Sequence, residues 1–206
     1  MSEVSNNTAL NVLIILAHGN PESLTASMAE SYRQGALSQH ANVKLINLNE
    51  LHFNPILQGG YQSAQSLEPD LSDAQSAILW AQHIVFVYPI WWGAMPALLK
   101  GFIDRVFLPG FAFRYRPNSV WWDRLLSGRS ARVISMMDTP PWAFRWVYRM
   151  PGHQQIRRTI LEFAGIKPVR IQSIGPVRGA TDLQKTKWLK QVFKHGQHDA
   201  KKHGRR

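Results

Sequence analysis

The chain contains no cysteine. That excludes a disulfide framework, a thiolate metal site, a Cys-x-x-Cys redox pair and a thiol nucleophile, so any redox chemistry must come from a bound cofactor. Acidic residues are scarce too. Against 24 Lys and Arg stand 13 Asp and Glu, a formal charge of +11 that favours anionic partners. The longest apolar stretch, residues 84–99, is shorter than the roughly 18 to 20 residues of a spanning helix, and Pro89 and Pro96 interrupt it. The first ten residues, MSEVSNNTAL, lack the basic start and apolar run of a secretory signal, so a cytoplasmic location is expected. Missing as well are GxGxxG and GxxxxGK[ST], the main supports for Rossmann NAD binding and P-loop ATP chemistry. The charge and the eight tryptophans raise nucleic-acid binding as a rival, but there is no RNP1 pattern, zinc spacing or helix-turn-helix signature to back it. Neither nucleic acid nor a metal ion is expected as a ligand.

What is present suits one globular domain: 206 residues, 45% hydrophobic and 18% charged. Residues 12–17 (VLIILA) form a continuous aliphatic run, the mark of a strand covered on both faces. Similar runs at 43–48, 84–88, 131–136 and 169–174 make five candidate strands. Helical spacing fills 25–38, 72–81, 96–106, 155–164 and 182–194. This alternation predicts an open, doubly wound α/β sheet, with ligands outside the carboxyl ends of the strands near the topological switch point. The loops expected to meet there are 18–25 and 89–95. Segments 51–71, 108–128 and 138–152 do not fit the repeat, and long loops of this kind tend to be functional or to reach a neighbouring subunit. The domain is expected to span 10–195, followed by a basic C-terminal tail, 196–206. From Lys190 onward six Lys/Arg and three His read as a frayed appendage whose removal spares activity.

Two loops carry chemistry. The first, His18-Gly19-Asn20-Pro21-Glu22-Ser23-Leu24-Thr25, lies between a buried strand and a helix. Unpaired N–H groups and the positive dipole end of that helix can hold a phosphate, with the hydroxyls of Ser23 and Thr25 completing the ligation. The plainer alternative is that Ser23 or Thr25 only caps the helix. His18 could donate to a phosphate or to a ring. The second loop, Pro89-Ile90-Trp91-Trp92-Gly93-Ala94-Met95-Pro96, sets two adjacent tryptophans at the tip of a buried strand, where one can pack inward while the other lines a cleft. Its prolines and Gly93 stiffen the backbone, which suits a planar ligand approached edge-on by main-chain groups.

The blocks VLIILAHGNPESLT (12–25) and YPIWWGAMPALLKGFIDRVFLPGFAF (88–113) resemble the flavodoxin-like NAD(P)H:quinone oxidoreductases, the DT-diaphorase-like group that includes bacterial quinone reductases. The second block is the specific one. The resemblance implies a flavodoxin-like three-layer α/β fold with a five-stranded parallel sheet of order 2-1-3-4-5. It implies a flavin, FMN or FAD, in a homodimer with active sites at the subunit interface, and ping-pong hydride transfer from NAD(P)H to a quinone or similar aromatic acceptor. By position, His18, Ser23, Leu24 and Thr25 would hold the flavin phosphate, and Pro89, Ile90, Trp91, Trp92 and Gly93 would border the isoalloxazine ring. Where the family often has a Thr-Thr-Gly-Gly turn, this chain has Met137-Asp138-Thr139-Pro140-Pro141, so contacts to the pyrimidine edge would fall to Asp138 and Thr139. The family's pocket Tyr and His have loose counterparts in Tyr148 and His153. Walls are expected from Phe111, Phe113, Tyr115 and Trp121, and dinucleotide phosphates from the attraction of Arg114, Arg116, Arg124, Arg129 and Arg132. No catalytic side chain is assigned. Some bacterial members serve potassium-efflux systems, so the alternative is a flavin-binding regulatory subunit of such a membrane transporter, its basic tail touching lipid or a channel domain.

Overall fold

The aliphatic runs form a single sheet because each is covered on both sides. In the computed structural model, which describes residues 9–62 and 65–203, the parallel strands are β1 (Asn11–Leu16), β2 (Asn42–Asn47), β3 (His83–Pro89), β6 (Ser130–Met136) and β7 (Val169–Ile174). Their order is β2-β1-β3-β6-β7. Two further strands, β4 (Phe113–Tyr115) and β5 (Trp122–Arg124), pair antiparallel as a separate two-stranded sheet inside the aromatic segment that broke the repeat. Without them the order is the expected 2-1-3-4-5. Every residue of β3 and β6 is buried, whereas the edge strands β2 and β7 are half open.

Alternate residues of the central strands feed two cores. Val12, Ile14, Val85, Val87 and Ile134 face α1 (Leu24–Leu37) and the C-terminal helix, α7 (Asp182–His203). Leu13, Ile15, Ile84, Phe86 and Val133 face α2 (Pro69–Trp80), α3 (Ala97–Val106) and a helical run through α5 (Pro151–Gln154), a π-helical stretch (Gln155–Leu161) and α6 (Glu162–Ala164). A short α4 (Pro141–Trp146) precedes that run. Among the described residues no helix is long and apolar enough to cross a membrane.

The basic end is not an appendage. Helix α7 continues to His203 and lies along α1, where Gly35 and Gly196 leave no room for a side chain: a Cβ on either would run into backbone of the other helix. Its second acid, Asp199, is fully buried and draws Arg132 from β6 (Nε to Oδ2, 2.6 Å), Arg170 from β7 (3.1 Å), the Tyr32 hydroxyl (2.9 Å) and His83 (3.4 Å). Counting cations hid this carboxylate, whose position on the inner face outweighs the surrounding charge. The last residues of the basic end, 204–206, and residues 1–8 lie outside the described residues.

The long segment 51–71 is also anchored. Arg105 of α3, fully buried, donates to both Glu68 oxygens (3.1 and 2.7 Å), to Asn54 O and to Ser66 O. Gly101 one turn earlier lets Pro55 pack against the helix backbone.

Candidate functional site

Three loops converge at the carboxyl ends of β1, β3 and β6, where the strand order reverses. The first turns over quickly. His18 Nδ1 accepts from Asn20 N (3.0 Å), which leaves Nε2 to carry the ring proton as a donor. Asn20 Oδ1 in turn accepts from Glu22 N (2.8 Å). Ser23, extended at φ −70° and ψ 154°, is the N-cap of α1, and its Oγ accepts from Ala26 N (3.2 Å). Capping and phosphate ligation are therefore compatible: an accepting hydroxyl still has its own proton to give, and the N–H groups of Leu24 and Thr25 have no acceptor within the helix.

The second loop is a two-residue turn. Trp91 and Ala94 exchange both backbone hydrogen bonds at 3.0 Å, which forces positive φ on the two residues between them, 51° at Trp92 and 77° at Gly93. Glycine takes that conformation freely and tryptophan does not. The turn tips Trp92 into solvent, fully exposed, and leaves Trp91 half exposed. Neither indole packs inward as expected. Trp91 instead stands 6.3 Å from the His18 ring, joining the two loops.

A cleft of about 210 Å³ opens between these loops. Of the residues singled out in the sequence, His18, Ser23, Leu24, Thr25, Pro89, Ile90, Trp91 and Asp138 line it; Trp92, Gly93 and Thr139 do not. Met136, Met137 and Val177 complete the wall. Val177 had no sequence signal. It arrives because its N–H bonds Met137 O (3.1 Å) and because Asp138 Oδ1 accepts from Arg178 N (2.8 Å), tying the loop after β7 across the cleft. The donor set fits a flavin phosphate, and the indole and proline surfaces fit the edge of its ring.

The remaining sequence candidates are scattered. Tyr148 points outward, while His153 is buried, its Nε2 2.8 Å from Ser135 Oγ. Burial pushes its imidazole down to about 4, so it is neutral near pH 7. Phe113 is buried between Tyr115 and Phe163, and Phe111 packs on the same core, whereas Tyr115 and Trp121 are exposed. Most of the arginines expected to attract phosphates are engaged elsewhere: Arg132 with Asp199, Arg129 with Ile78 O and Leu79 O, Arg116 with Asp123, and Arg124 over the Trp122 ring.

The chain belongs to the flavodoxin-like fold family, whose model matches residues 10–196. The curated relatives it resembles carry the names of NAD(P)H oxidoreductases and quinone dehydrogenases. It is 29% identical over 134 residues to the uncharacterized NAD(P)H oxidoreductase YcaK of Escherichia coli, covering 61% of this chain and 68% of that one. Over 122 residues it is 30% identical to human ribosyldihydronicotinamide dehydrogenase [quinone], half of this chain against 53% of the human one. Among solved structures, Smu.1420 of Streptococcus mutans superposes with a TM-score of 0.80 at 29% identity, covering 91% of this chain and 98% of that one.

Proposed function

We propose that this chain is a flavin-dependent NAD(P)H:quinone oxidoreductase. The observation that carries it is the meeting, in one cleft at the switch point, of the α1 N-terminus with the half-exposed Trp91 and the donor His18. A bound flavin, FMN or FAD, would supply the hydride chemistry that couples NAD(P)H oxidation to quinone reduction in alternate half-reactions. The chain supplies position. The Leu24 and Thr25 N–H groups, with the hydroxyls of Ser23 and Thr25, hold the phosphate. His18, whose Nδ1 is occupied by Asn20 N, would offer Nε2–H to the cofactor. Pro89, Ile90 and Trp91 border the ring, with Trp92 and Gly93 setting the turn that presents them. Asp138, which lines the cleft while its Oδ1 accepts from Arg178 N, would lie nearest the pyrimidine edge, and Thr139, outside the cleft wall, would serve only to shape the turn behind it. Met136, Met137 and Val177 keep water from the apolar wall.

The cleft is small beside pockets that enclose a whole ligand, which run from about 300 Å³ upward. One face of the ring is therefore left for a second subunit to cover. Exposed aromatic side chains at Trp92, Tyr115, Trp121 and Trp146 suit a homodimer interface. The location is cytoplasmic, where NAD(P)H is available. The purified chain is expected to be yellow, to sediment as a dimer, and to oxidise NAD(P)H with a quinone along parallel double-reciprocal lines. Mass measurement of the heat-released pigment separates FMN from FAD. Colourless protein that stays inert after addition of either flavin would refute the assignment.

A further inference from the structure

Beside the flavin cleft lies a second cleft of about 400 Å³, between α4, the α5 run and edge strand β7. We propose that it is the binding site for the phosphate groups of the hydride donor, and that Arg145 and Arg157 make this chain selective for NADPH. This rests on the flavin reading, because only a redox cofactor next door gives a nicotinamide dinucleotide a reason to bind here.

The two arginines reach the cleft from different elements, Arg145 from α4 and Arg157 from the π-helical stretch, and no carboxylate lines it. Ser173, Gln154 and the neutral His153 add polar groups without adding an opposing charge. Arg145 lies over the Trp146 ring, 5.2 Å from its centroid, a contact that restrains the guanidinium at the cleft. Arg157 Nε is shared with Glu162 (2.8 Å), but both side chains are substantially exposed, so a phosphate can displace this weak pair. Planar guanidinium forks from two sides match the oxygens of a phosphate monoester, which NADPH carries on its adenosine ribose and NADH lacks.

Position supports the same occupant. Asp138 of the flavin cleft and Pro141 of this one are three residues apart on the segment leaving β6. Gly152 N bonds Gly93 O (2.8 Å), so the tryptophan turn and the helix that carries His153 share a wall. A ligand with one end at the ring and the other in this cleft needs a linker between two functional groups, which a dinucleotide has. Most of the arginines that the sequence marks for phosphate attraction are instead engaged within the fold.

The test is calorimetric titration of the flavin-loaded full-length protein with adenosine 2′,5′-bisphosphate, the half of NADPH that carries the distinguishing phosphate. Removing both guanidiniums (Arg145→Gln with Arg157→Gln) should weaken binding at least tenfold. Removing two exposed charges on α7, away from the cleft (Lys187→Gln with Lys190→Gln), should change it less than twofold. Glu162→Gln, which frees Arg157, should tighten it, and the ratio of KM for NADH to KM for NADPH should fall toward one in the double arginine variant. The proposal is overturned if the bisphosphate does not bind, if both double variants lose affinity alike, or if the KM ratio does not move. Titrating flavin-free protein separates this from the parent reading: failure to take up FMN or FAD sinks the enzyme assignment, whereas flavin uptake without bisphosphate binding sinks only the donor site.

Discussion

Tyr88 sits fully buried one residue before the tryptophan loop, and its hydroxyl has no hydrogen-bond partner among the described residues. An unsatisfied buried hydroxyl costs about 1–3 kcal/mol, so Tyr88→Phe should raise stability by about 1 kcal/mol in urea denaturation. A fall instead would show that a buried water satisfies the group. Glu68 gives a second residue-scale expectation. Its hydrogen bonds from Arg105 hold the carboxyl down to about 2, below its ordinary value near 4.5. The folded state thus favours the charged form, and the contribution is complete above about pH 4.5 and lost as pH falls through about 2. Glu68→Gln should flatten the pH dependence of the denaturation midpoint in that window, and an unchanged slope would contradict the pairing. Neither feature was legible in the sequence. A tyrosine in an aliphatic run reads as core, and Arg105 finds Glu68 37 residues away through the fold alone.

At the scale of elements, all five expected sheet strands form within one or two residues of where the aliphatic runs placed them, because burial on both faces leaves a run that local sequence reveals. Helix α7 was legible only in its first half. Beyond Lys194 the inward positions are filled by Gly196, Asp199 and Ala200, none of which looks apolar enough to mark a buried face. Asp199 shows why. Burial opposes its charge, but hydrogen bonds from His83 and Arg132 outweigh that and hold the carboxyl far below the usual range. Replacing it with Asn would leave Arg132 buried without its counter-charge, at a cost of about 3–5 kcal/mol. Truncation after Lys190, harmless for an appendage, should abolish cooperative unfolding because Val192, Gly196, Asp199 and Ala200 all leave with it. A truncated chain with an unchanged thermal midpoint would contradict this.

For the whole molecule, the sequence placed the two loops that meet at the rim, because a βα loop rich in hydroxyls and a proline-flanked Trp-Trp pair are local signals. What it could not show was which side chains turn inward. Trp92 and Gly93 belong to the turn and not to the cleft wall, and Val177 joins from a strand end that carries no chemical mark. Flavin binding at this rim requires that the α1 N-terminus hold an anionic phosphate. Equilibrium titration of flavin-free protein with FMN and FAD, wild type against Ser23→Glu, tests that requirement directly. A carboxylate set at the N-cap against the phosphate should weaken flavin binding at least tenfold while the chain stays folded. Equal flavin occupancy in the two proteins would contradict it.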